Sequence, residues 1–219
     1  MDDPDAAISR GRGRPRKDIR RHVIRDLMAA AEVVLANKTA YEIKLPEIAS
    51  AAGVSEAMIY YYFGGKDGLM VAIFDEIMQE APYRRADDII KYCIKKKSIE
   101  PLIEELVTFY YKRAGLIRMT VIEMTAMSSQ VKEAYWKKYL DVTPKFLNRL
   151  IKSMFDMGIY RNEFDIEFVT SSIFSLIMGP IIFNSNRILN ISEKYSVQEL
   201  IDKITKFTDT ALGAPNTSE

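Results

Sequence analysis

The chain has 219 residues, 48% hydrophobic and 28% charged, with a formal net charge of +1. These proportions are typical of a soluble globular protein of one large or two small domains, and they argue against a disordered chain. A single cysteine and a single histidine exclude an internal disulfide, a multi-thiolate metal site within one chain and a Ser-His-Asp triad. We therefore expect no metal site, no cofactor and no enzymatic activity.

The N-terminus is too polar for a secretory signal peptide, because it lacks an apolar central region. The longest apolar-rich stretch, residues 173–183, is too short to span a bilayer and contains Gly179-Pro180. Together with the single cysteine, which suits a reducing compartment, these features predict a cytoplasmic protein.

Residues 1–17 form a predicted disordered arm, and the stretch from Arg10 to Arg25 carries eight basic residues against one acid. Within it, Arg12-Gly13-Arg14-Pro15 resembles the core of an AT-hook. Glycine lets an extended backbone lie deep in a narrow minor groove, and Arg12, Arg14 and Arg16 would then reach along the groove floor. A non-specific electrostatic tail explains the same composition.

Beyond the arm, apolar residues recur at helical spacing nearly throughout, with neither an alternating strand pattern nor a fixed repeat. Pro144 and Pro180 fall inside helical patterns, where kinks or breaks are expected. The fold class is therefore all-α. The helices are predicted from before Val23 to Leu35, over 46–52, over 55–63, from Lys66 through Ile77, and near 84–96, 99–115, 117–128, 130–157, 165–189 and 196–212.

Residues 47–60 have the features of a helix-turn-helix. Ala51 and Ala52 are small enough for two helices to cross closely, and Gly53 tolerates a positive φ in the turn. Three apolar residues are spaced to pin the second helix to the first: Ile48, Val54 and Ile59. An ordinary helical hairpin would share this pattern, so the flanking residues matter.

Those flanks make residues 20–78 similar to the TetR (tetracycline-repressor-like) family. The matching positions are Ala30-Ala31, Ile48-Ala49, Ala52-Gly53-Val54-Ser55, Tyr60 to Phe63, and Lys66-Asp67-Gly68-Leu69. The resemblance implies a three-helix DNA-binding domain followed by a helical effector-binding and dimerisation domain. We accordingly expect a basic arm over 1–17, a helix-turn-helix domain over 18–65, an effector-binding and dimerisation domain over 66–213, and a tail over 214–219.

Carried over by position, the resemblance makes residues 55–62 the recognition helix in the major groove. Base contacts are expected from Glu56, Ala57, Met58 and Tyr61. Phosphate contacts are expected from Lys44, Ser55, Tyr60, Tyr62 and Lys66. The chain departs from the family pattern at Thr39 (usually Gly), at Ile43-Lys44 (usually a capping Ser or Thr) and at Gly65 (commonly Ser or Asn), which puts individual phosphate contacts in doubt.

The C-terminal half carries two strongly apolar helical segments, near 165–189 and 196–212. The resemblance implies that they form the interface of a homodimer, which would place two recognition helices about 34 Å apart on a pseudo-palindromic site. It also implies an effector cavity. Candidates for its wall are Tyr110, Tyr111, Met119, Met124, Met127, Trp136, Phe155 and Phe174, although aromatic and methionine residues at helical spacing are more often core.

We therefore expect a DNA-binding transcriptional regulator, a repressor released from its operator by a small, mostly apolar effector. The repressor assignment and the effector itself rest on the family resemblance. The alternative is an architectural DNA-binding protein that prefers A/T-rich sequence and senses no ligand.

Overall fold

The computed structural model describes residues 17–35, 42, 44–126, 133, 142–183 and 194–213. Helices account for nearly all of the regular structure in these residues, and their only bridge between extended segments joins Tyr160 to Gly213. The all-α prediction is confirmed. Several predicted features lie outside the described residues: the minor-groove residues Arg12, Arg14 and Arg16, the departures Thr39 and Ile43, the candidate pocket residues Met127 and Trp136, and the 214–219 tail.

In chain order the helices are α1 (Lys17–Leu35), α2 (Leu45–Ala51), α3 (Glu56–Phe63), α4 (Lys66–Met78), α5 (Ala86–Lys96), α6 (Glu100–Tyr111), α7 (Ala114–Ala126), α8 (Val142–Asp156), α9 (Ile166–Phe183) and α10 (Val197–Leu212), with a 3₁₀ turn at Pro82–Arg85 before α5.

The helix boundaries decide three points that the sequence left open or placed slightly differently. The helix predicted over 99–115 is interrupted, since α6 ends at Tyr111 and α7 begins at Ala114. Pro180 lies inside α9, which continues to Phe183 rather than ending at the proline. Lys17, predicted to end the arm, is the first residue of α1.

Local sequence explains where several helices begin and end. Ser55 caps α3 by accepting the backbone N–H of Met58 at 3.3 Å, and Gly64 ends the same helix with a left-handed φ of 75°. At α10, Ser196 and Glu199 form a capping box in which each side chain accepts the other residue's backbone N–H.

One continuous apolar core runs through the N-terminal helices into the C-terminal ones. In α1, Leu27 and Ala31 are fully buried, and in α4 Leu69 and Ile73 are fully buried as well. Helix α7 packs against both α1 and α4, and also against α6 and α9. Helix α7 therefore connects the N-terminal helices to the C-terminal ones by direct packing.

A partly buried polar cluster fastens the end of α10 to the middle of the chain. The Tyr160 hydroxyl donates to the Asp209 carboxylate and accepts the backbone N–H of Ile99 at 2.9 Å. Ser98 donates to the other Asp209 oxygen at 2.9 Å. Burial and the neighbouring Asp209 carboxylate raise the pKa of Tyr160 far above its usual value, so its hydroxyl stays protonated as a donor.

Among the helices of the described residues, none combines the length and hydropathy needed to cross a bilayer.

Candidate DNA-binding surface and effector domain

Helices α2 and α3 form a tight helix-turn-helix. Gly53 takes a φ of 67° in the turn, and the Val54 N–H then bonds to the Ala49 carbonyl at 3.0 Å. Ile59 is fully buried and Ile48 is 2% exposed, which confirms their expected core role. The small buried residue of α2 is Ala49, at 2% exposure, whereas Ala51 faces solvent. The expectation that Ala51 sits at the crossing was therefore wrong.

The first turn of α3 presents three of the expected base-contact residues to the outside. Glu56 and Ala57 are exposed and Met58 is half-buried. Tyr61, one turn further, is 57% exposed. The capped N-terminus of α3 holds these side chains on a helix whose opposite face is fixed in the core by Ile59 and Phe63. The arrangement suits insertion of the exposed face into a groove.

The residues expected to hold phosphates surround that face. Lys44 is the exposed N-cap of α2 and makes no side-chain capping bond. Lys66 is the first residue of α4, which places its charge beside the helix N-terminus. Tyr60 is 58% exposed, while Tyr62 is half-buried with its ring edge-on to Tyr61 at 5.3 Å. The Ser55 oxygen already serves as the cap of α3.

Glycines set the angle between α3 and α4. Gly65 has a φ of 120°, which side-chain-bearing residues rarely adopt, so the departure from the usual Ser or Asn has a backbone cause. A Cβ on Gly68 would lie 1.7 Å from the carbonyl oxygen of Phe63. Gly68 therefore lets α4 touch the backbone of α3, a role that the sequence analysis missed because the residue lies inside a helical pattern.

Charged groups hold the C-terminal end of α4. Glu76, with a side chain only 15% exposed, pairs with Arg25 of α1 at 3.5 Å and with Arg21 at 3.7 Å. The Arg84 and Tyr83 side chains both donate to the Met78 carbonyl, at 3.1 Å and 3.2 Å. Residues outside the DNA-binding helices therefore fix where α4, and through it α3, points.

Just beyond α4, Glu80 pairs with Arg113, which lies in the turn between α6 and α7. The Arg113 side chain is only 14% exposed. This ion pair is a second connection between the end of α4 and the C-terminal helices.

The candidate effector residues have varied positions. Tyr110 and Phe174 meet edge-on with ring centroids 6.1 Å apart. Tyr110 is 6% exposed, and its burial raises its pKa to about 12. Met119 is 2% exposed, as a core residue would be, whereas Tyr111 and Phe155 are half-buried. Met124 belongs to α7. Among the candidates that the structure describes, Tyr110 and Phe174 make a ring contact with each other.

A groove of about 500 Å³ lies between α9 and α10, and none of the eight candidates lines it. Its rim includes Phe164, Phe168 and Phe207, which are 45%, 55% and 63% exposed. Exposed apolar side chains of this size, grouped on one surface, indicate that another molecule covers that surface.

The titratable chemistry of the described part is sparse. It contains no group of three or more His, Cys, Asp or Glu side chains placed to hold a metal ion. Cys93 is fully buried, and burial raises the pKa of its thiol to about 11. A thiol in that state is a poor nucleophile at neutral pH.

Comparison with known proteins agrees with the helix-turn-helix seen in the structure. Residues 27–73 match the family model described as bacterial regulatory proteins, tetR family. The fatty acid metabolism regulator protein of Bacillus subtilis is 23% identical over 181 residues, which is 80% of this chain and 91% of that protein.

Two solved structures show the same fold at low sequence identity. The TetR-family regulator PfmR from Thermus thermophilus aligns with a TM-score of 0.66 at 15% identity, covering 88% of this chain and 100% of that one. The regulator FadR from Bacillus subtilis, solved in complex with stearoyl-CoA, aligns with a TM-score of 0.63 at 19% identity, covering 84% and 96%. Residues 27–73 are therefore similar to the tetR family of bacterial regulatory proteins, and the chain shares its fold with solved regulators.

Proposed function

We propose that this chain is a homodimeric repressor that reads a pseudo-palindromic operator and is released by a small, mostly apolar effector. The observation that carries the DNA-binding part is the first turn of α3, where Glu56 and Ala57 are exposed and Met58 is half-buried on a helix whose opposite face packs into the core. Base edges are read by Glu56, Ala57, Met58 and Tyr61 in this proposal.

The phosphate contacts in the proposal come from residues on both sides of that turn. Lys44 and Lys66 supply charge, and Ser55, Tyr60 and Tyr62 supply hydroxyl groups. The N-terminal arm, through Arg12, Arg14 and Arg16, adds minor-groove or non-specific contacts, and either one steepens the salt dependence of binding.

The dimer interface of the proposal is the apolar groove between α9 and α10. Phe168 and Phe207 lie more than half exposed on the two helices that the sequence analysis assigned to dimerisation. A two-fold pair of such surfaces buries the same phenylalanines on both subunits. The dimer then presents two α3 helices to two half-sites, about 34 Å apart.

The effector part draws on the relatives and on the position of α7. One relative is named a fatty acid metabolism regulator, and the solved FadR binds stearoyl-CoA. In this chain α7 packs against α1 and α4 as well as α9. A ligand that moves α7 therefore changes the surface against which the DNA-binding helices pack. Its affinity must differ between the two conformers by about 5.5 kcal/mol to switch a 1:99 population to 99:1. A cytoplasmic location belongs to the same proposal, because the operator is there.

Selection of the purified protein against a random DNA library tests the proposal. We expect enrichment of an inverted repeat whose half-site centres are about one helical turn, or a multiple of it, apart. Enrichment of A/T-rich DNA without a repeat would instead favour the architectural alternative. Absence of binding even at low salt would refute DNA binding altogether.

A further inference from the structure

Two hydrogen-bond donors on the hairpin formed by α6 and α7 have no acceptor. The Tyr111 hydroxyl, on the last residue of α6, is buried and without a partner among the described residues. The same is true of Arg118 Nε, in the second turn of α7. Buried polar groups in folded proteins are nearly always paired, so an unpaired donor needs an explanation such as a missing ligand.

Both groups are donors at neutral pH. Burial raises the pKa of Tyr111 to about 12, so its hydroxyl keeps the proton. Burial lowers the pKa of Arg118, because desolvation disfavours the charged form. Arginine nevertheless stays protonated in proteins and has no acceptor atom. The complement of two donors and one positive charge is an anion rich in acceptor oxygens.

Arg118 lies on a helix that is largely packed into the core. Its neighbours Leu116, Ile117 and Met119 are at most 2% exposed. An uncompensated charge on such a helix costs free energy unless a ligand supplies the opposite charge. The helix is also α7, which packs against α1 and α4, so an anion bound here acts on the element that seats the DNA-binding helices.

We infer that the α6–α7 hairpin binds the anionic head group of an amphipathic effector, a carboxylate or a phosphate, with Arg118 as the charge partner and Tyr111 as the second donor. This inference rests on the proposed function, since it specifies the effector, and it gives the mostly apolar ligand a charged end. Arg118 and Tyr111 are ligand-binding residues in this assignment rather than parts of the core.

Calorimetric titration with three twelve-carbon probes tests the assignment. Laurate carries a carboxylate, lauroyl-CoA carries phosphates, and 1-dodecanol carries no charge on the same chain. We expect at least one anion to bind at least tenfold more tightly than the alcohol. Preference for laurate alone identifies the carboxylate, and preference for lauroyl-CoA alone identifies the phosphates. Equal or weaker binding of both anions, including no binding at all, overturns the inference.

Three variants and one control locate the site. Arg118→Met should weaken the preferred anion at least tenfold and leave the alcohol unchanged, and Arg118→Lys should recover part of the loss. Tyr111→Phe should weaken the anion several-fold without lowering the Tm of the ligand-free protein, because the lost hydroxyl has no partner to leave behind. Lys112→Met removes a charge from an exposed position in the same turn and should bind as wild type. Unchanged anion binding in Tyr111→Phe and Arg118→Lys overturns the inference even if Arg118→Met fails to fold.

The same proteins are also titrated with the DNA selected from the random library. Wild-type protein that binds no DNA contradicts the proposed function. Wild-type protein that binds DNA and is released equally by laurate, lauroyl-CoA and dodecanol contradicts only the anionic head group. Release by an anion in wild type, lost in Arg118→Met with DNA affinity intact, supports both.

Discussion

Two glycines, Gly65 and Gly68, have structural roles at the junction of α3 and α4 that their residue type alone does not reveal. Gly68 sits inside α4, where helix propensity favours any other non-proline residue, yet its Cα faces the Phe63 carbonyl with no room for a Cβ. Gly65 likewise holds a φ of 120°. The family pattern asked for glycine at neither position, and only the backbone conformation and the packing explain why glycine occupies them.

Gly68→Ala should lower the free energy of unfolding by about 2–3 kcal/mol, because the added Cβ overlaps a backbone oxygen that cannot rotate away. Denaturant unfolding measures this. Gly179→Ala is the matched control, since Gly179 is also helical but has no atom of the chain within 4 Å of an added Cβ. The control should be unchanged or stabilised by about 0.5–1 kcal/mol. Equal effects in the two variants would contradict the close approach of α3 and α4.

Lys66 and Met58 should have separable effects on DNA binding. Lys66→Met should weaken binding to all sequences alike and reduce the slope of log K against log salt by about 1, because one phosphate contact is lost. Met58→Ala should change the preferred base at one position of each half-site and leave the slope alone. Binding at several salt concentrations and repeated selection measure both quantities. A change in the preferred sequence caused by Lys66→Met would contradict its assignment to phosphate.

At the scale of elements, helical periodicity predicted most helices correctly, and caps and glycines explain their ends. The break between α6 and α7 was predicted a few residues too late, between 115 and 117, because Lys112 and Arg113 carry no turn signal and the apolar spacing continues through them. The apolar side chains of α10 also fall into a buried set and an exposed set that the sequence did not predict. Leu200, Ile201 and Ile204 are buried, while Val197 and Phe207 are exposed. The helical spacing of apolar residues does not show whether the surface that covers them belongs to the same chain or to another one.

The contacts among distant elements were equally invisible in the sequence. Tyr160 meets Asp209 and Ile99 only because α10 returns to the start of α6. The helical spacing around Arg118 and Tyr111 gave no indication that the Arg118 Nε and the Tyr111 hydroxyl would be buried without a hydrogen-bond acceptor among the described residues. The motif predicted the DNA-contacting residues from a specific pattern, whereas the candidate effector residues were chosen by residue type alone, and both sets remain predictions.

Tyr160→Phe should lower the free energy of unfolding by about 1–3 kcal/mol, since it leaves the buried Ile99 N–H without an acceptor and removes the donor to Asp209. Tyr92→Phe is the control, because Tyr92 is 52% exposed and should change stability by less than about 0.5 kcal/mol. Urea denaturation of both variants provides the comparison. A loss no larger than that of Tyr92→Phe would show that the cluster does not anchor α10.

At the scale of the whole molecule, the continuous core and the uncovered groove have different consequences. The core joins the DNA-binding helices to α7 without a gap in the apolar packing, so we expect a shift of α7 to be transmitted to those helices. The groove between α9 and α10 leaves large apolar surface open in a single chain. In the proposed dimer the groove sets the separation of the recognition helices, and α7 adjusts their orientation.

Phe207→Glu should convert the dimer to a monomer and weaken operator binding at least tenfold, because it places two carboxylates in an apolar interface. The helical content should not change, since Phe207 is 63% exposed in the single chain. Sedimentation, circular dichroism and DNA titration measure the three effects. Tyr92→Glu, on a face away from the groove, should remain dimeric. A Phe207→Glu protein that stays dimeric would refute the α9–α10 interface.

Dimeric operator binding is tested most directly by the stoichiometry and salt dependence of binding to the DNA recovered by random selection, compared with a duplex that carries one half-site. We expect two chains bound per inverted repeat, much weaker binding to the half-site, and affinity that falls steeply as salt rises. One chain per duplex with equal affinity for the half-site, or affinity indifferent to salt, would contradict a dimeric operator-binding regulator.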